Sequence, residues 1–265
     1  MTVPVADAVT PEPTGVDENW RSGEFPWWLV VLALIIGWLG YQVFFNPEYT
    51  GARTFIFPGI IVTIRVTAIA FALSALLGLL LGMGRLSHVR LVREACTAYV
   101  EFIRGLPMVV LILLVAFVAI PSVSDALGIE NRLPNESRAI IALTLIYAGY
   151  LAEVYRAGIQ SVDSGQSEAG RSLGLSQRQT MFSIVLPQAV RNVLPALGND
   201  LISMLKDSAL LTVVAVSEIT HLSRLYSGSS FQFAEAYLTI TFLYLTGTLL
   251  LSLAVRGVER VLERG

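Results

Sequence analysis

The chain has 265 residues, of which 54% are hydrophobic and only 14% are charged, and its mean hydropathy is +0.67. This composition excludes an ordinary soluble domain and is typical of a single-domain helical protein that crosses a membrane several times. The net charge of −2 argues against a nucleic-acid partner. The lone Cys96 has no disulfide partner, and His88 and His221 lie on different loops, so we expect no metal site.

Residues 1–26 are rich in Pro, Asp and Glu and contain few apolar residues. Such a composition predicts a disordered tail, because it cannot bury enough apolar surface to fold. The tail also lacks the basic start of a signal peptide, so we expect no cleavage.

Six apolar segments follow the tail, each about long enough to cross a bilayer as a helix. They are Trp27–Phe45, Pro58–Gly84, Ala98–Ile120, Ala139–Gly158, Leu194–Val216 and Ala236–Val255. A backbone in lipid must satisfy its own hydrogen bonds, and no alternating ten-residue pattern indicates a barrel. The predicted fold is therefore all-α, with about six transmembrane helices. Gly78 and Gly82 have the spacing of small residues at a close helix–helix contact.

The distribution of arginines predicts the orientation in the membrane. Residues 85–93, the loop 159–193 and the C-terminal tail are rich in Arg, and they alternate with residues 121–138 and 217–235, which are relatively richer in acids. Because short loops rich in Lys and Arg remain in the cytoplasm, we expect these three regions and both termini to be cytoplasmic.

Seven charged residues within or beside the predicted spans are candidates for the substrate path or for charge pairs in the interior of the bundle. They are Arg65, Glu101, Arg104, Glu153, Arg156, Lys206 and Asp207. Charge at membrane depth costs several kcal/mol unless it is paired or hydrated, so these side chains should face the interior of the bundle. A spacing of three lets each Glu/Arg pair share a helix face, which fits an intrahelical ion pair as well as contact with substrate. Lys206 and Asp207 point about 100° apart and cannot simply pair with each other. Arg65 either contacts substrate or forms a salt bridge with a neighbouring span.

The longest polar interval between apolar segments, residues 166–187, reads QSEAGRSLGLSQRQTMFSIVLP and is clearly patterned. It predicts a helix over Gln166–Leu173 that ends at Gly174. Ser176 and Gln179 have the spacing of a capping box for a second short helix through Ile184. Pro187 is expected to end that helix or to fix its exit angle. We therefore predict a helix–turn–helix outside the hydrocarbon.

This interval resembles the cytoplasmic loop of the permease subunits of ATP-binding-cassette importers. The family pattern is Glu-Ala-Ala, three residues, Gly, nine residues, Ile, one residue and Leu-Pro. Every spacing agrees here, and the single departure is a glycine in place of the second alanine, which costs roughly 1 kcal/mol in a helix. The resemblance assigns coupling to an ATPase to Glu168, Ala169, Gly170, Leu173, Gly174, Leu186 and Pro187.

Other stretches are similar to the polar-amino-acid (histidine/glutamine-type) permeases within that group. They are YVEFIRGLP, AGYLAEVYRAGIQSV, LPQAVRNVLPALGN and LKDSALLTVVAVSEI. Such permeases usually have five spans, so the first span here is an addition. The expected organisation is a tail at 1–26, an extra helix and loop at 27–57, and a permease domain at 58–265 with its coupling loop at 159–193.

The resemblance implies a permease subunit that carries polar amino acids across the bacterial cytoplasmic (inner) membrane. The implied partners are a second permease, identical or homologous, two ATPase subunits that hold ATP and Mg, and an extracytoplasmic solute-binding protein. The chain has no G-x-x-x-x-G-K-[ST] loop, so we expect no enzymatic activity and no cofactor of its own. One alternative is an importer of another small solute, such as an opine or an amine. A second is an ion-coupled transporter in which Glu101, Glu153 and Asp207 relay cations, although no inverted repeat supports it.

Overall fold

The structure is a computed structural model that describes residues 27–128, 130 and 133–263, with side chains described to residue 260. The predicted disordered tail lies outside these residues. Within them every regular element is helical. The helices are α1 (Trp27–Phe45), α2 (Thr50–Ile56), α3 (Gly59–Arg85), α4 (Arg90–Arg104), α5 (Met108–Leu114), α6 (Ile120–Ala126), α7 (Asn135–Gln160), α8 (Ser164–Ser172), α9 (Gln177–Thr180), α10 (Leu186–Asp207), α11 (Ile219–Ser230) and α12 (Phe233–Glu263).

Five of the helical segments are long and apolar enough to cross a membrane. They are Trp27–Phe45, Pro47–Arg85, Met108–Ala126, Asn135–Gln160 and Phe233–Arg260. The sixth predicted span corresponds to α10, which is less apolar because it contains Arg191, Asp200, Lys206 and Asp207. The prediction of an all-α polytopic membrane protein is confirmed.

Two of the predicted spans are interrupted in the structure. The segment predicted at Ala98–Ile120 is interrupted, because α4 ends at Arg104 and the next helix begins only after Pro107, which has extended backbone angles. The segment predicted at Leu194–Val216 is not one uniform helix. It continues from α10 into a 3-10 helix over Ser208–Val214, and Ala215 then adopts a left-handed conformation with φ of 55°. Both breaks fall inside runs whose average hydropathy is high, so hydropathy alone does not reveal them.

The centre of the bundle is the contact between α3 and α7, which run parallel. Gly78 and Gly82 bring the two backbones together, since a Cβ at Gly78 would lie 3.1 Å from the Ala148 carbonyl oxygen and 3.2 Å from the Ala152 nitrogen. The predicted packing role of these two glycines is confirmed. The largest cluster of buried side chains surrounds this contact and includes Val66, Ile103, Leu111, Leu143, Ile146, Met204 and Leu211.

Two helical runs contain a π segment immediately before a proline. Val115–Ala119 precedes Pro121, and Met181–Val185 precedes Pro187. A proline ring clashes with the carbonyl four residues earlier in a regular helix and donates no N–H. In each π segment a backbone N–H bonds instead to the carbonyl five residues earlier, as Leu186 does to Met181. The wider turn makes room for the ring, so the helix continues through both prolines.

Helix α1 lies on the outer side of α12. The guanidinium of Arg53 donates to the carbonyl oxygens of Val43 at 3.1 Å and Phe44 at 2.8 Å, and thereby caps the carboxyl end of α1. Phe44 contacts Phe242 edge to face, with ring centroids 5.7 Å apart. The remaining surface of α1 is largely exposed and apolar. The first span is therefore docked on the bundle at its edge, away from the contact between α3 and α7.

Candidate functional site

The first helix of the polar loop, α8, is capped at both ends. Asp163 accepts a hydrogen bond from the Gly165 N–H at 2.6 Å, and this cap starts the helix at Ser164, two residues before the predicted start. At the other end Gly174 has φ of 86°, the Leu175 N–H donates to the Gly170 carbonyl at 3.1 Å, and the Gly174 N–H donates to the Arg171 carbonyl at 2.9 Å. These are the two bonds of a Schellman motif, so the predicted stop at Gly174 is confirmed.

The second helix of the loop begins with the predicted capping box. The Gln179 N–H donates to the Ser176 hydroxyl at 3.3 Å, and the Ser176 N–H donates to the Gln179 side-chain oxygen at 2.9 Å. The prediction that Pro187 ends this helix or sets its exit angle is only partly right. The helical path continues from α9 through the π segment into α10, where Pro187 occupies the first turn. A π segment before the proline replaces the expected break.

The unusual Gly170 has a structural reason. It is buried against the second helix of the loop, and a Cβ there would lie 2.7 Å from Cδ1 of Ile184 and 3.1 Å from Cγ2 of Thr180. Ile184 is itself part of the loop pattern found in the sequence. The glycine therefore lets α8 lie directly on the π segment, and the two halves of the loop form one packed hairpin.

The outer surface of this hairpin carries most of the predicted coupling residues. Glu168, Ala169, Leu186 and Pro187 are exposed, and the Leu173 side chain is 82% exposed. Phe182 is also exposed, and the Arg178 guanidinium lies 5.9 Å from the centre of its ring. An exposed leucine and an exposed phenylalanine beside charged residues form a surface suited to contact with another protein.

The hairpin is attached to the bundle through α7 and α10. The Asn192 side chain donates to the Ser161 hydroxyl at 2.9 Å, which joins the end of α7 to the first turns of α10. One turn away, Gly158 of α7 lies directly against Val193 of α10. A displacement of the hairpin therefore acts directly on two helices of the bundle.

A charge cluster lies where α3 and α7 end. Glu153 accepts hydrogen bonds from Arg156, its predicted i,i+3 partner, and also from Arg85, the last residue of α3. The Arg85 side chain is only 11% exposed, so its nearly buried positive charge is compensated by the Glu153 carboxylate. Glu101 lies 3.6 Å from Arg85. The predicted Glu153–Arg156 pair exists, and its link to Arg85 of α3 was not predicted.

The predicted pair of Glu101 and Arg104 does not form. Glu101 faces Arg85 on α3, and Arg104, at the end of α4, makes no ion pair with any residue that the structure describes. Spacing allowed the two side chains to share a face, but the neighbouring cation on α3 attracts the carboxylate instead.

Arg65 forms a two-bond salt bridge with Glu136 in the first turn of α7. The distances are 2.7 Å from Nε and 2.6 Å from Nη2 to the two carboxylate oxygens. Of the two roles proposed from sequence, the salt bridge with a neighbouring span is the one that the structure contains. Thr63 and Thr67 are buried on another face of α3, as their spacing relative to Arg65 predicts.

At the end of α10, Asp207 accepts a hydrogen bond from the Tyr147 hydroxyl at 2.7 Å. Lys206 is exposed, and it has no ion pair or hydrogen bond among the residues that the structure describes. Asp200 lies two turns earlier on α10, and its Oδ2 is buried without a partner in the described chain. The sequence analysis missed Asp200 and Tyr147, although Asp200 follows Asn199 at the end of one of the family-like stretches.

Glu218 is a fully buried acid that the sequence analysis also missed. It accepts hydrogen bonds from the N–H groups of Thr220 at 2.7 Å and His221 at 2.6 Å, and from the Tyr244 hydroxyl at 3.0 Å. Burial raises the pKa of the Glu218 carboxyl, and these donors act in the opposite direction. Glu218 caps α11 and ties it to α12. Among the described residues no group of His, Cys, Asp and Glu could hold a metal ion.

A bundle of apolar helices that carries a capped polar hairpin on its surface defines a multi-pass helical membrane protein. Residues 74–264 match the family of the binding-protein-dependent transport system inner membrane component. The chain belongs to this family, and the resemblance found in the sequence is confirmed.

Curated relatives in this family have related descriptions. The probable glutamine ABC transporter permease protein GlnP of Bacillus subtilis (strain 168) is 37% identical over 208 residues, which is 77% of this chain and 92% of the relative. The L-cystine transport system permease protein TcyB of the same organism is 33% identical, and the match covers 89% of this chain and 95% of the relative. A match over 236 of the 265 residues must begin no later than about residue 30, so the match with TcyB extends into α1.

Among solved structures, a chain of an amino acid ABC transporter with histidines superposes with a TM-score of 0.71 at 33% identity, covering 78% of this chain and 94% of that one. A chain of the inward-facing MetNI methionine ABC transporter superposes with a TM-score of 0.62, covering 78% of this chain and 96% of that one. At 20% identity, the second likeness concerns the fold alone.

Proposed function

We propose that this chain is the permease subunit of an ATP-driven importer of polar amino acids in the bacterial cytoplasmic membrane, with both termini in the cytoplasm. The observation that carries this proposal is the capped hairpin at 164–187 in a member of the binding-protein-dependent family. Relatives and a structural neighbour described for glutamine, cystine and amino acids support the substrate class. The partners in this proposal are a second permease, ATPase subunits that hold ATP and Mg, and an extracytoplasmic solute-binding protein.

In the proposed mechanism, the hairpin transmits closure of the ATPase subunits to the membrane helices. The exposed Glu168, Ala169 and Leu173 contact the ATPase, while Gly170 holds α8 against its own hairpin. Caps at both ends keep α8 from fraying, so the hairpin moves as a rigid body. Alternating access needs an element with two arrangements that ATP binding biases, and a rigid lever meets that need.

The movement then passes to α7 and α3 together. Arg65–Glu136 fastens these two helices at one end of their contact and Arg85–Glu153 fastens them at the other, with the Gly78 contact between. Helices joined in this way move as one unit. The hairpin continues into α10 and is hydrogen-bonded to the end of α7, so its movement passes to α10 and to the α3–α7 pair.

For the solute, we propose that Asp207 meets the ammonium group of an amino acid in the path. Arg65, Glu153 and Arg156 already hold ion pairs, which fits a structural role for each. Asp207 is bonded instead by the neutral Tyr147 hydroxyl, which leaves its negative charge to attract a cationic group. Lys206 and Arg104 are exposed and remain candidates for the carboxylate of the solute.

The coupling role is tested with a matched pair of glycine substitutions. Gly174 and Gly128 both have positive φ, of 86° and 64°, and each N–H donates to a carbonyl three residues earlier. Proline requires φ near −65° and has no N–H, so Gly174→Pro and Gly128→Pro impose the same local damage. Only Gly174 belongs to the hairpin. A third variant, Glu168→Lys, reverses an exposed charge without disturbing the fold.

We expect Gly174→Pro and Glu168→Lys to insert in the membrane but to lose most amino-acid uptake and most substrate-stimulated ATP hydrolysis in proteoliposomes. A drop of tenfold or more corresponds to roughly 1.4 kcal/mol of lost coupling. Gly128→Pro should retain most of both activities. Undiminished uptake and ATP hydrolysis in the two hairpin variants, or equal losses in the two proline variants, would contradict the proposed coupling role.

A further inference from the structure

Helices α4 and α10 end at residues of opposite charge, both within predicted spans. The last residue of α4 is Arg104, and the last residue of α10 is Asp207, after which the 3-10 segment begins. A break in a helix at membrane depth is tolerated only where the backbone is buried in protein or lines a water-filled cavity. A positive and a negative side chain therefore mark two places where such a cavity is expected.

Helix α4 lies directly on α7 at Gly149. A Cβ at this glycine would lie 2.9 Å from Cγ2 of Ile103. Arg104 is the next residue of α4 after Ile103, and Tyr150 is the next residue of α7 after Gly149. Arg104 and Tyr150 therefore lie at the same level of the bundle.

A pair of tyrosines on α7 links this level to Asp207. The rings of Tyr147 and Tyr150 are in edge-to-face contact, with centroids 5.7 Å apart. The Tyr147 hydroxyl donates to Oδ2 of Asp207 at 2.7 Å. The charges of Asp207 and Arg104 both reach the Tyr150 hydroxyl, and they act on it in opposite directions. The two charged side chains thus lie close to the same aromatic pair.

Neither charge is neutralised within the part of the chain that the structure describes. Arg104 has no ion pair there, and the one hydrogen bond that Asp207 accepts there comes from the neutral Tyr147 hydroxyl. Opposite charges that are near each other but unpaired suit a ligand that carries both signs. Lys206 points about 100° away from Asp207 around α10, so it does not share the face that Asp207 presents to Tyr147.

We propose that Arg104 and Asp207 bind the two charged ends of an amino-acid zwitterion, an inference that rests on the proposed function. The guanidinium of Arg104 donates two parallel hydrogen bonds to the α-carboxylate, which its planar fork fits better than the ammonium of Lys206 does. The α-ammonium donates to the carboxylate of Asp207. A site of this kind requires both charges on one ligand, so it excludes a simple amine as the cargo.

The test uses the importer assembled from the full-length permease and its partner membrane and ATPase subunits, in nanodiscs and without the solute-binding protein. The twenty standard L-amino acids are titrated in turn by calorimetry. Two analogues of each amino acid that binds are then compared with it. The α-amide lacks the negative charge, and the desamino acid lacks the ammonium. We expect the wild-type complex to bind each analogue at least about tenfold more weakly, because each analogue lacks one charge-assisted contact.

Substitution at either end of the site should remove one preference and leave the other. In Arg104→Gln the amino acid and its α-amide should bind equally, while the preference over the desamino acid persists. Asp207→Asn should show the reverse pattern. Arg90→Gln replaces an exposed arginine at the start of the same helix, so it is the matched control and should keep both preferences. An Arg104 that serves only the structure would change the binding of all three compounds alike.

Three results would overturn the site. The first is a wild-type complex that binds the α-amide as tightly as the amino acid, a measurement for which no variant has to fold. The second is a preference for the carboxylate that survives Arg104→Gln or disappears in Lys206→Gln. Both of these leave the proposed function intact. The third is a wild-type complex that binds none of the twenty amino acids, which would contradict the proposed cargo together with the site.

Discussion

The contact between α3 and α7 allows a quantitative prediction of how Gly78→Ala changes stability, because backbone atoms take part in it. A methyl group at Gly78 would lie 2.8 Å from the Leu151 Cβ and 3.1 Å from the Ala148 carbonyl oxygen, which cannot rotate away. Gly78→Ala must therefore push the two helices apart by several tenths of an ångström. Overpacking of this kind costs about 1–3 kcal/mol, and the higher helix propensity of alanine returns at most about 1 kcal/mol. With the full helix-propensity gain, the expected net loss is up to about 2 kcal/mol.

Gly37 of α1 provides the control for this prediction. A Cβ there meets nothing within 4 Å, so Gly37→Ala should gain up to about 1 kcal/mol from helix propensity alone. The measurement is the thermal unfolding of the purified complex in detergent, followed for both variants and for Gly78→Val. The valine variant should be the least stable, because it adds two more methyl groups at the same contact. If Gly78→Ala and Gly37→Ala shift the unfolding temperature equally, the backbone contact between α3 and α7 is not limiting, and the reasoning fails.

Two further predictions follow from other contacts. Glu153→Gln leaves the nearly buried Arg85 without its main counter-charge and should lower the free energy of unfolding by roughly 3 kcal/mol. Lys206→Gln, at an exposed residue, should change that free energy by less than about 0.5 kcal/mol. Equal effects of the two substitutions in unfolding experiments would contradict the ion-pair assignment. Deletion of residues 1–50 uncovers Phe242 on α12, so expression or stability should fall, but correctly assembled complexes should retain uptake. Complete loss of uptake in such complexes would show that α1 belongs to the translocation path.

Local features of the hairpin were predictable because they depend on neighbouring residues. The stop at Gly174 and the box formed by Ser176 and Gln179 follow from which residue types cap a helix. The start at Ser164 was missed by two residues, although Asp163 is a favourable cap. The role of Gly170 was not predictable, because it depends on how closely Ile184 approaches across the turn.

Contacts between distant residues were largely beyond the sequence. Glu153 and Arg156 were expected to pair from their spacing, but the Arg85 that joins them lies 68 residues away. In the same way, the sequence placed Arg65 among the charges at membrane depth without identifying Glu136 as its partner. Such pairs depend on which helices are adjacent and on how far they are shifted along their axes. Periodicity within one helix gives no information about either.

The π segment at Met181–Val185 fixes the direction in which the hairpin points. Each residue of an α-helix advances the chain by about 100°, so one surplus residue in a turn rotates everything before it by that angle relative to everything after it. Upstream, Thr180 faces Gly170 of the hairpin, and downstream Val193 faces Gly158 of α7. Deletion of one residue between Thr180 and Val193 would remove none of these four contact residues. It would nevertheless rotate the outer surface of the hairpin by about 100° relative to α10. In this part of the chain, the number of residues sets the orientation of the hairpin relative to α10. An insertion or deletion here would therefore change that orientation.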